Sequence, residues 1–417
     1  MQLVAVGAQD VYLTGNPQIT LFKGVYKRHT NFSMEPIPLT PSGDAGWGKT
    51  AEITVTRNAD LVGEMWLRLE IKADDNSKLN KNPKHPQVPF GNNIIDFIEL
   101  EIGGQKIDKH YGEWLSMDLA LNEPSENLYR MSELVHGTGG HCNDKDAVDV
   151  VYVPLRFWFN KYKNLPLPLI ALQYHEVKIT VKFHNEASNI VVGGKNTASG
   201  SFSSAELITN YIYLDTEERK RFAQLSHEYL IEQVQSNRNN TMATSTNSTV
   251  KVDLNFNHPC KYLAWQTSDN RYTPRYSSKT SGNESFDTQL KLNGQDRFHK
   301  ALDQEYFHKC QKVSHFTNSS DLQVSKNLTM GTVNSDSSEI NEASEAFNTN
   351  CYVYSFAMNA SEHQPSGTCN FSRIDNSQLV LTRTGSGKAL ANSIDVYAVN
   401  YNVLRIMSGM GGLAYSN

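Results

Sequence analysis

Two stretches place a glycine–glutamine pair after an alternating, strand-like run: ELEIGGQKIDKHYGEW at 99–114 and TQLKLNGQDRFHKALDQEYF at 288–307. Glycine amides can cradle a phosphate, but a cradle needs several glycines converging ahead of a helix, usually with lysine or a hydroxyl residue. One or two glycines and a glutamine fit a tight turn leaving a strand better. MSGMGGLAY at 407–415 is richer, with Gly409, Gly411 and Gly412, yet no helical stretch follows to supply a dipole. His136, His141 and Cys142 form one conceivable metal set, and His308, Cys310 and His315 another. Neither has a recognised ligand spacing or a matching second pair, so both read as scattered surface side chains. His258 and Cys260 share a strand face, as a thiol–base pair would, but Pro259 intervenes and no third partner is identifiable. Glu99 and Glu101 also share a face, as glycosidase carboxylates must converge. A solvated face of an amphipathic strand explains them more simply. No residue is therefore assigned a catalytic, cofactor-binding or metal-ligating role.

Asn-x-Ser/Thr triplets begin at Asn31, Asn239, Asn247, Asn283, Asn318, Asn327, Asn359 and Asn370. Asn239, Asn247, Asn283, Asn318 and Asn327 fall in Ser/Asn/Thr-rich inserts of the second half and are the candidate glycosylation positions, should the chain meet a glycosylating system.

The elements that would position these residues are mostly strands. Period-two alternation or aromatic-rich β runs occur at 50–57, 64–71, 96–104, 151–159, 174–183 and 204–215. TEERKRFAQLSHEY follows as a connector with one or two helical turns. The β pattern resumes at 229–236, 249–256, 260–267, 287–294, 351–358, 377–383 and 393–409. Helical spacing is rare: Leu128, Met131 and Val135 after Pro124, and Phe298, Leu302 and Cys310. This is not a βαβ alternation, and a parallel α/β fold is disfavoured.

The halves can be laid side by side. Gly104-Gln105 and Gly294-Gln295 lie 190 residues apart, and Tyr152-Val153 matches Tyr352-Val353 at an offset of 200. Similar element order at nearly constant offset points to duplication into two antiparallel sandwiches. The inserts at 237–250, 267–287 and 315–350 carry too few aromatics for a core and read as exposed loops.

At 417 residues the chain exceeds one comfortable core, and its formal charge of −5 gives no global drive towards nucleic acid or anionic membrane. Five cysteines without framework spacing fit a reducing compartment. The N-terminus lacks signal-peptide features, and no run approaches the length of a membrane span. The expectation is a protein made and kept in the cytosol.

Six stretches and the ending carry a family resemblance: GAQDVYLTGNPQITLFKGVYKRHTNF (7–32), ELEIGGQKIDKHY (99–111), LPLIALQYHEVKI (167–179), RFAQLSHEYLIEQ (221–233), KLNGQDRF (291–298), QPSGTCNFSRIDN (364–376) and NYNVLRIMSGMGGLAY (400–415). In order and across nearly the whole chain, they resemble the major capsid proteins of nucleocytoplasmic large DNA viruses, in particular the algal-virus members. The resemblance implies an all-β double jelly roll of two tandem eight-stranded antiparallel sandwiches, with short helices and long surface loops. It places an N-terminal base segment at 1–25, a first roll at 26–214, a linker at 215–226 and a second roll at 227–417. It further implies pseudo-hexagonal homotrimeric capsomers of an icosahedral double-stranded DNA virus shell, assembled in host cytoplasm. Neighbouring capsomers and minor capsid proteins beneath the shell would be its partners. An internal membrane would lie nearby without being spanned, with no direct nucleic-acid contact, cofactor or catalysis. The rival reading is a glycan-binding or host-attachment β-sandwich, which would show a defined sugar cleft and a smaller oligomer.

Overall fold

The computed structural model describes residues 6–73, 90–124, 148–185, 200–241, 248–270, 286–316, 351–384 and 393–415, with a few single residues and pairs between them. Among the described residues, eight strands of five or more residues build a first unit: β1 Phe32–Leu39, β2 Thr50–Val55, β3 Leu61–Ala73, β4 Ile95–Ile102, β5 Gln105–Tyr111, β6 Val148–Pro154, β7 Val177–Phe183 and β8 Gly200–Leu214. One sheet runs β1-β8-β3-β6 and the other β2-β7-β4-β5, all antiparallel. The second unit repeats this with β9 His227–Thr241, β10 Thr249–Asp253, β11 Pro259–Asn270, β12 Phe286–Leu292, β13 split into Gln295–Asp296 and Leu302–Asp303, β14 Cys351–Ser355, β15 Ser377–Arg383 and β16 Ser393–Met407. Its sheets run β9-β16-β11-β14 and β10-β15-β12-β13. The strand permutation is the same in both units, so the chain is a double jelly roll. A last strand, β17 Met410–Leu413, folds back on β16.

The glycine–glutamine echoes are equivalent turns, each joining the fourth strand of a roll to the fifth. Gly103 and Gly104 have φ of 58° and 82°, and Asn293 and Gly294 have 51° and 77°. Two consecutive positive φ values are what a two-residue hairpin turn of matching twist requires, and Gly and Asn tolerate them. Tyr152 and Tyr352 likewise sit on the equivalent strands β6 and β14.

Several sequence expectations need correction. The run at 151–159 leaves the sheet at Pro154, and Trp158–Lys161 is a helical turn. The insert beginning at 237 is strand as far as Thr241, and the one beginning at 267 is strand as far as Asn270. Strand β1 was hidden by Pro36 and Pro38. It is the edge of its sheet, where a missing ladder donor is tolerated. Strand β5, Gln105–Tyr111, lies beyond the run read as strand at 96–104.

A helix, α1 Gly112–Asn122, had no amphipathic signature because residues 112–121 are all buried. It starts where a Cβ on Gly112 would sit 2.2 Å from Asn92 O and 2.4 Å from Ile95 O, both rigid backbone atoms. Gly112→Ala should therefore destabilise the chain by about 1–3 kcal/mol, the range of overpacking strain. A shift of the urea midpoint measures it, and an unchanged midpoint would refute the tight contact.

Strand ends give the molecule a polarity. Ala73 pairs with Gly200, Lys72 with Val148, Thr241 with Ser393 and Gln266 with Cys351. The connections 74–89, 136–147, 186–199, 242–247, 271–285, 317–350 and 385–392 thus depart from one end of the rolls. At the other end Phe32 pairs with Leu214 and His227 with Ile406, bridged by helix α2 Thr216–Gln224. There Tyr174 N donates to Gly409 O at 3.0 Å, so the two rolls stand side by side with the same ends together.

Candidate functional site

Among the described residues, none of the chemical constellations suggested by spacing converges on a reactive centre. Glu99 and Glu101 face lysines across the β4–β5 ladder: Glu99 pairs with Lys109 in register and lies 2.9 Å from Lys106 Nζ, and Glu101 faces Lys106. His258 adopts φ 66°, and the buried Cys260 thiol donates to Tyr262 O at 3.3 Å, its pKa pushed well up by burial. His315 Nδ1 lies 3.2 Å from Met358 O, while Cys310 is exposed. His136, His141 and Cys142 lie outside the described residues. Among the described residues no group of three His, Cys, Asp or Glu could hold a metal ion, and no helix is long and apolar enough to cross a membrane.

The glycine-rich ending is a packing device. Leu413 N donates to Gln105 Oε1 at 3.2 Å, and His175 Nδ1 lies within 3.1 Å of the Gly411 amide. The glutamine of the first glycine–glutamine pair thus holds the tail of the second roll. Of the candidate glycosylation positions, Asn239 lies on β9, two residues before its end, and its side chain is outside the described set. Asn247, Asn283, Asn318 and Asn327 lie outside the described residues. All four belong to connections leaving the loop-bearing end.

What the fold does assemble is a buried seam between the rolls. Helix α1 belongs to the first roll, yet Trp114, Met117 and Leu121 pack on Tyr262, Ala264, Val353, Tyr397 and Val399 of the second. The β9-β16-β11-β14 sheet is therefore buried on both faces. Leu263, Trp265, Val396 and Ala398 fill the second roll's own core, and the alternate residues meet α1. This is why SIDVYAVNYNV reads as a nearly continuous apolar run. The first roll's core also takes in Ile231, Leu404 and Ile406 from the ends of β9 and β16.

Charges cross this seam in alternation. Arg156 donates to Asp118 at 2.5 Å and to Glu123 at 2.6 Å, and Lys161 reaches Asp118 at 3.1 Å and Glu232 at 3.5 Å. Lys261 then donates to Glu232 at 2.6 Å and to Glu362 O at 2.5 Å, while Tyr162 Oη donates to Glu232 at 3.0 Å. Asp118, Arg156 and Lys161 come from the first roll; Glu232 and Lys261 come from the second. Burial works to raise the Asp118 carboxyl, but Lys161 and Arg156 overcome it and hold it at about 2. Glu232 is likewise held well below the usual carboxylate range by Lys161 and Lys261 against its burial. Three cations balance three carboxylates, as buried charge requires.

A second cluster has no such balance. Arg238 of β9 donates to Glu113 of α1 at 2.9 Å and stacks 3.9 Å over the Tyr111 ring. Burial pushes the Glu113 carboxyl up to about 7 although Arg238 pulls it down, and Asp395 and Asp96 add to the rise. Beside the first cluster a cavity of about 10 Å³ is lined by Asp108, His110, Trp114, Arg156, Lys161 and Glu232. His110 Nδ1 finds no protein partner there among the described residues. The room suits one water, with donors and acceptors on several sides. Sequence reasoning missed the whole seam. Its usable signal was charge embedded in apolar runs: Arg156 and Lys161 within RFWFNKY, Lys261 within CKYLAW.

Comparison with known proteins gives this architecture a lineage. The family model of the major capsid protein N-terminus matches residues 20–215, and that of the large eukaryotic DNA virus major capsid protein matches 218–325 and 340–412. The chain belongs to this family. The major capsid protein of Pyramimonas orientalis virus is 44% identical over 100% of this chain and 99% of its own length. That of Paramecium bursaria Chlorella virus 1 is 37% identical with the same coverages. A quasi-atomic structure of the latter virus's capsid superposes with a TM-score of 0.76 at 34% identity, covering 95% of this chain and 100% of the other. As a major capsid protein the chain is structural rather than enzymatic, its place is the virion shell, and the seam is what makes two rolls one building block.

Proposed function

We propose that three copies of this chain form a pseudo-hexagonal capsomer, and that such capsomers tile the icosahedral shell of a large double-stranded DNA virus. The observation carrying this reading is the repeated strand permutation in two rolls standing side by side. Three such pairs supply six similar blocks, which lets a threefold particle occupy a sixfold lattice position. No bond is made or broken; assembly proceeds by mass action through surfaces between rolls and between capsomers.

The division into a base segment at 1–25, rolls at 26–214 and 227–417, and a linker at 215–226 belongs to the same reading. So do minor capsid partners beneath the shell, an internal membrane nearby and assembly in host cytoplasm. The other end, from which the N-terminal segment leaves at Phe32, suits contacts below, because Tyr12, Leu13, Leu21, Phe22, Val25 and Tyr26 are all more than four-fifths exposed. The loop-bearing end suits the outside, and glycans at Asn239, Asn247, Asn283, Asn318 and Asn327 would project there. Native mass spectrometry of the purified chain is expected to give a trimer. A monomer that persists under assembly conditions would contradict the proposal.

A further inference from the structure

The internal repeat specifies how one chain meets the next. Each roll carries a helical segment between its fifth and sixth strands: α1 in the first, and Tyr306–His315 in the second. Within the chain, α1 covers the outer face of the second roll's β9-β16-β11-β14 sheet. The equivalent face of the first roll lies on β1-β8-β3-β6. Met65, Leu67 and Leu69 point into its core, so Trp66, Arg68, Glu70, Tyr152, Glu206 and Ile208 lie on the other side. These six are partly exposed, whereas their counterparts in the second roll, Tyr262, Ala264, Val353 and Tyr397, are buried beneath α1. The helical segment Tyr306–His315 buries Phe307 and Gln311 against its own roll. It leaves Lys309, Cys310, Val313 and Ser314 exposed as one stripe, with Val313 at 78%.

We propose that this stripe docks on the outer sheet face of the first roll of a second copy, repeating between chains the contact that α1 makes within one. The inference rests on the trimer reading and names its contact. Charge supports the occupant. Helix α1 carries Glu113 and Asp118 without a lysine or arginine, and the roll it covers supplies Arg238 and Lys261. The exposed stripe of the second segment carries the opposite sign, in Lys309, whose ammonium also reaches Glu305 at 3.3 Å just ahead of the segment, whereas Lys312 is buried against its own roll. The face it would cover carries Glu70 and Glu206 around Arg68. Lys309 would meet Glu70 and Glu206 across this contact, where the acidic α1 would not be favoured, so charge biases the order of rolls around the ring. A head-to-tail contact of this kind generates a closed ring when its rotation closes.

Cys310 is a native probe of the contact, because it lies on the stripe and is exposed in the single chain. Maleimide labelling read by peptide mass analysis should modify Cys310 roughly tenfold more slowly in the intact trimer than in urea-unfolded chain. Val313→Glu and Ile208→Glu should each weaken the trimer by roughly thirtyfold or more, as central interface truncations do, with the far-ultraviolet spectrum of the fold retained. Leu225→Glu, at an exposed apolar residue outside the stripe, should leave the trimer intact. A trimer in which Cys310 reacts as fast as in the unfolded chain overturns this contact while leaving the capsomer reading standing. A folded wild-type chain that sediments only as a monomer overturns both.

Discussion

Glu232→Ala destabilises the folded chain by about 3–5 kcal/mol, the usual loss when one partner of a buried ion pair is removed. The carboxylate accepts from Lys261 at 2.6 Å and Tyr162 at 3.0 Å, and faces Lys161 at 3.5 Å. Removing it leaves the Lys261 ammonium, with only 1% of its side chain exposed, bonded to a lone carbonyl of Glu362. Lys161 retains Asp118, so the excess positive charge concentrates on Lys261. The double variant Glu232→Leu/Lys261→Met removes both charges and should recover most of the loss, because the pair's attraction largely offsets its own desolvation. The site spans both rolls, so the single variant should also split urea unfolding into two transitions where the wild type shows one. If the single and double variants lose equal stability, the network is not what couples the rolls.

Stability also falls with rising pH, through Glu113. Its folded carboxyl titrates at about 7, against an ordinary value of 4.5. Below about pH 4.5 both folded and unfolded chains hold the proton, and the group contributes nothing. Above that the unfolded chain ionises while the folded one keeps its proton, so stability drops until Glu113 itself ionises. The whole loss is about 3 kcal/mol at 1.36 kcal/mol per unit. Asp118 acts in the opposite sense: its carboxyl is held at about 2 from an ordinary 3.8. Its contribution is present above the ordinary value and disappears as pH falls towards 2. Glu113→Gln keeps a hydrogen-bonding partner for Arg238 but cannot ionise. Its advantage over wild type should grow by about 2.5 kcal/mol between about pH 5 and pH 8 in urea titrations. Parallel pH profiles for the two proteins would show that Glu113 titrates normally.

The duplication was legible because turn chemistry is local. GGQKID and NGQDRF announce the same hairpin since only Gly and Asn enter its backbone angles cheaply, and β15 was found at its true bounds, Ser377–Arg383. Two of the failures, helix α1 and the seam charges, come from burial by distant parts of the chain, and a third from an edge position. Helix α1 looked featureless because two rolls enclose it, so no polar face marks its period. Strand β1 carries prolines that only an edge position permits. The seam's charges were hidden among 83 charged residues, since nothing local tells a buried Lys261 from a solvated one.

The central claim is that two equivalent rolls, locked by the seam, make one third of a six-lobed capsid block. Electron-microscopic reconstruction of the purified protein in solution tests it most directly. The account predicts a threefold particle of three chains, with six lobes alternating between first and second rolls. A lone two-lobed chain, or a twofold pair, would contradict it.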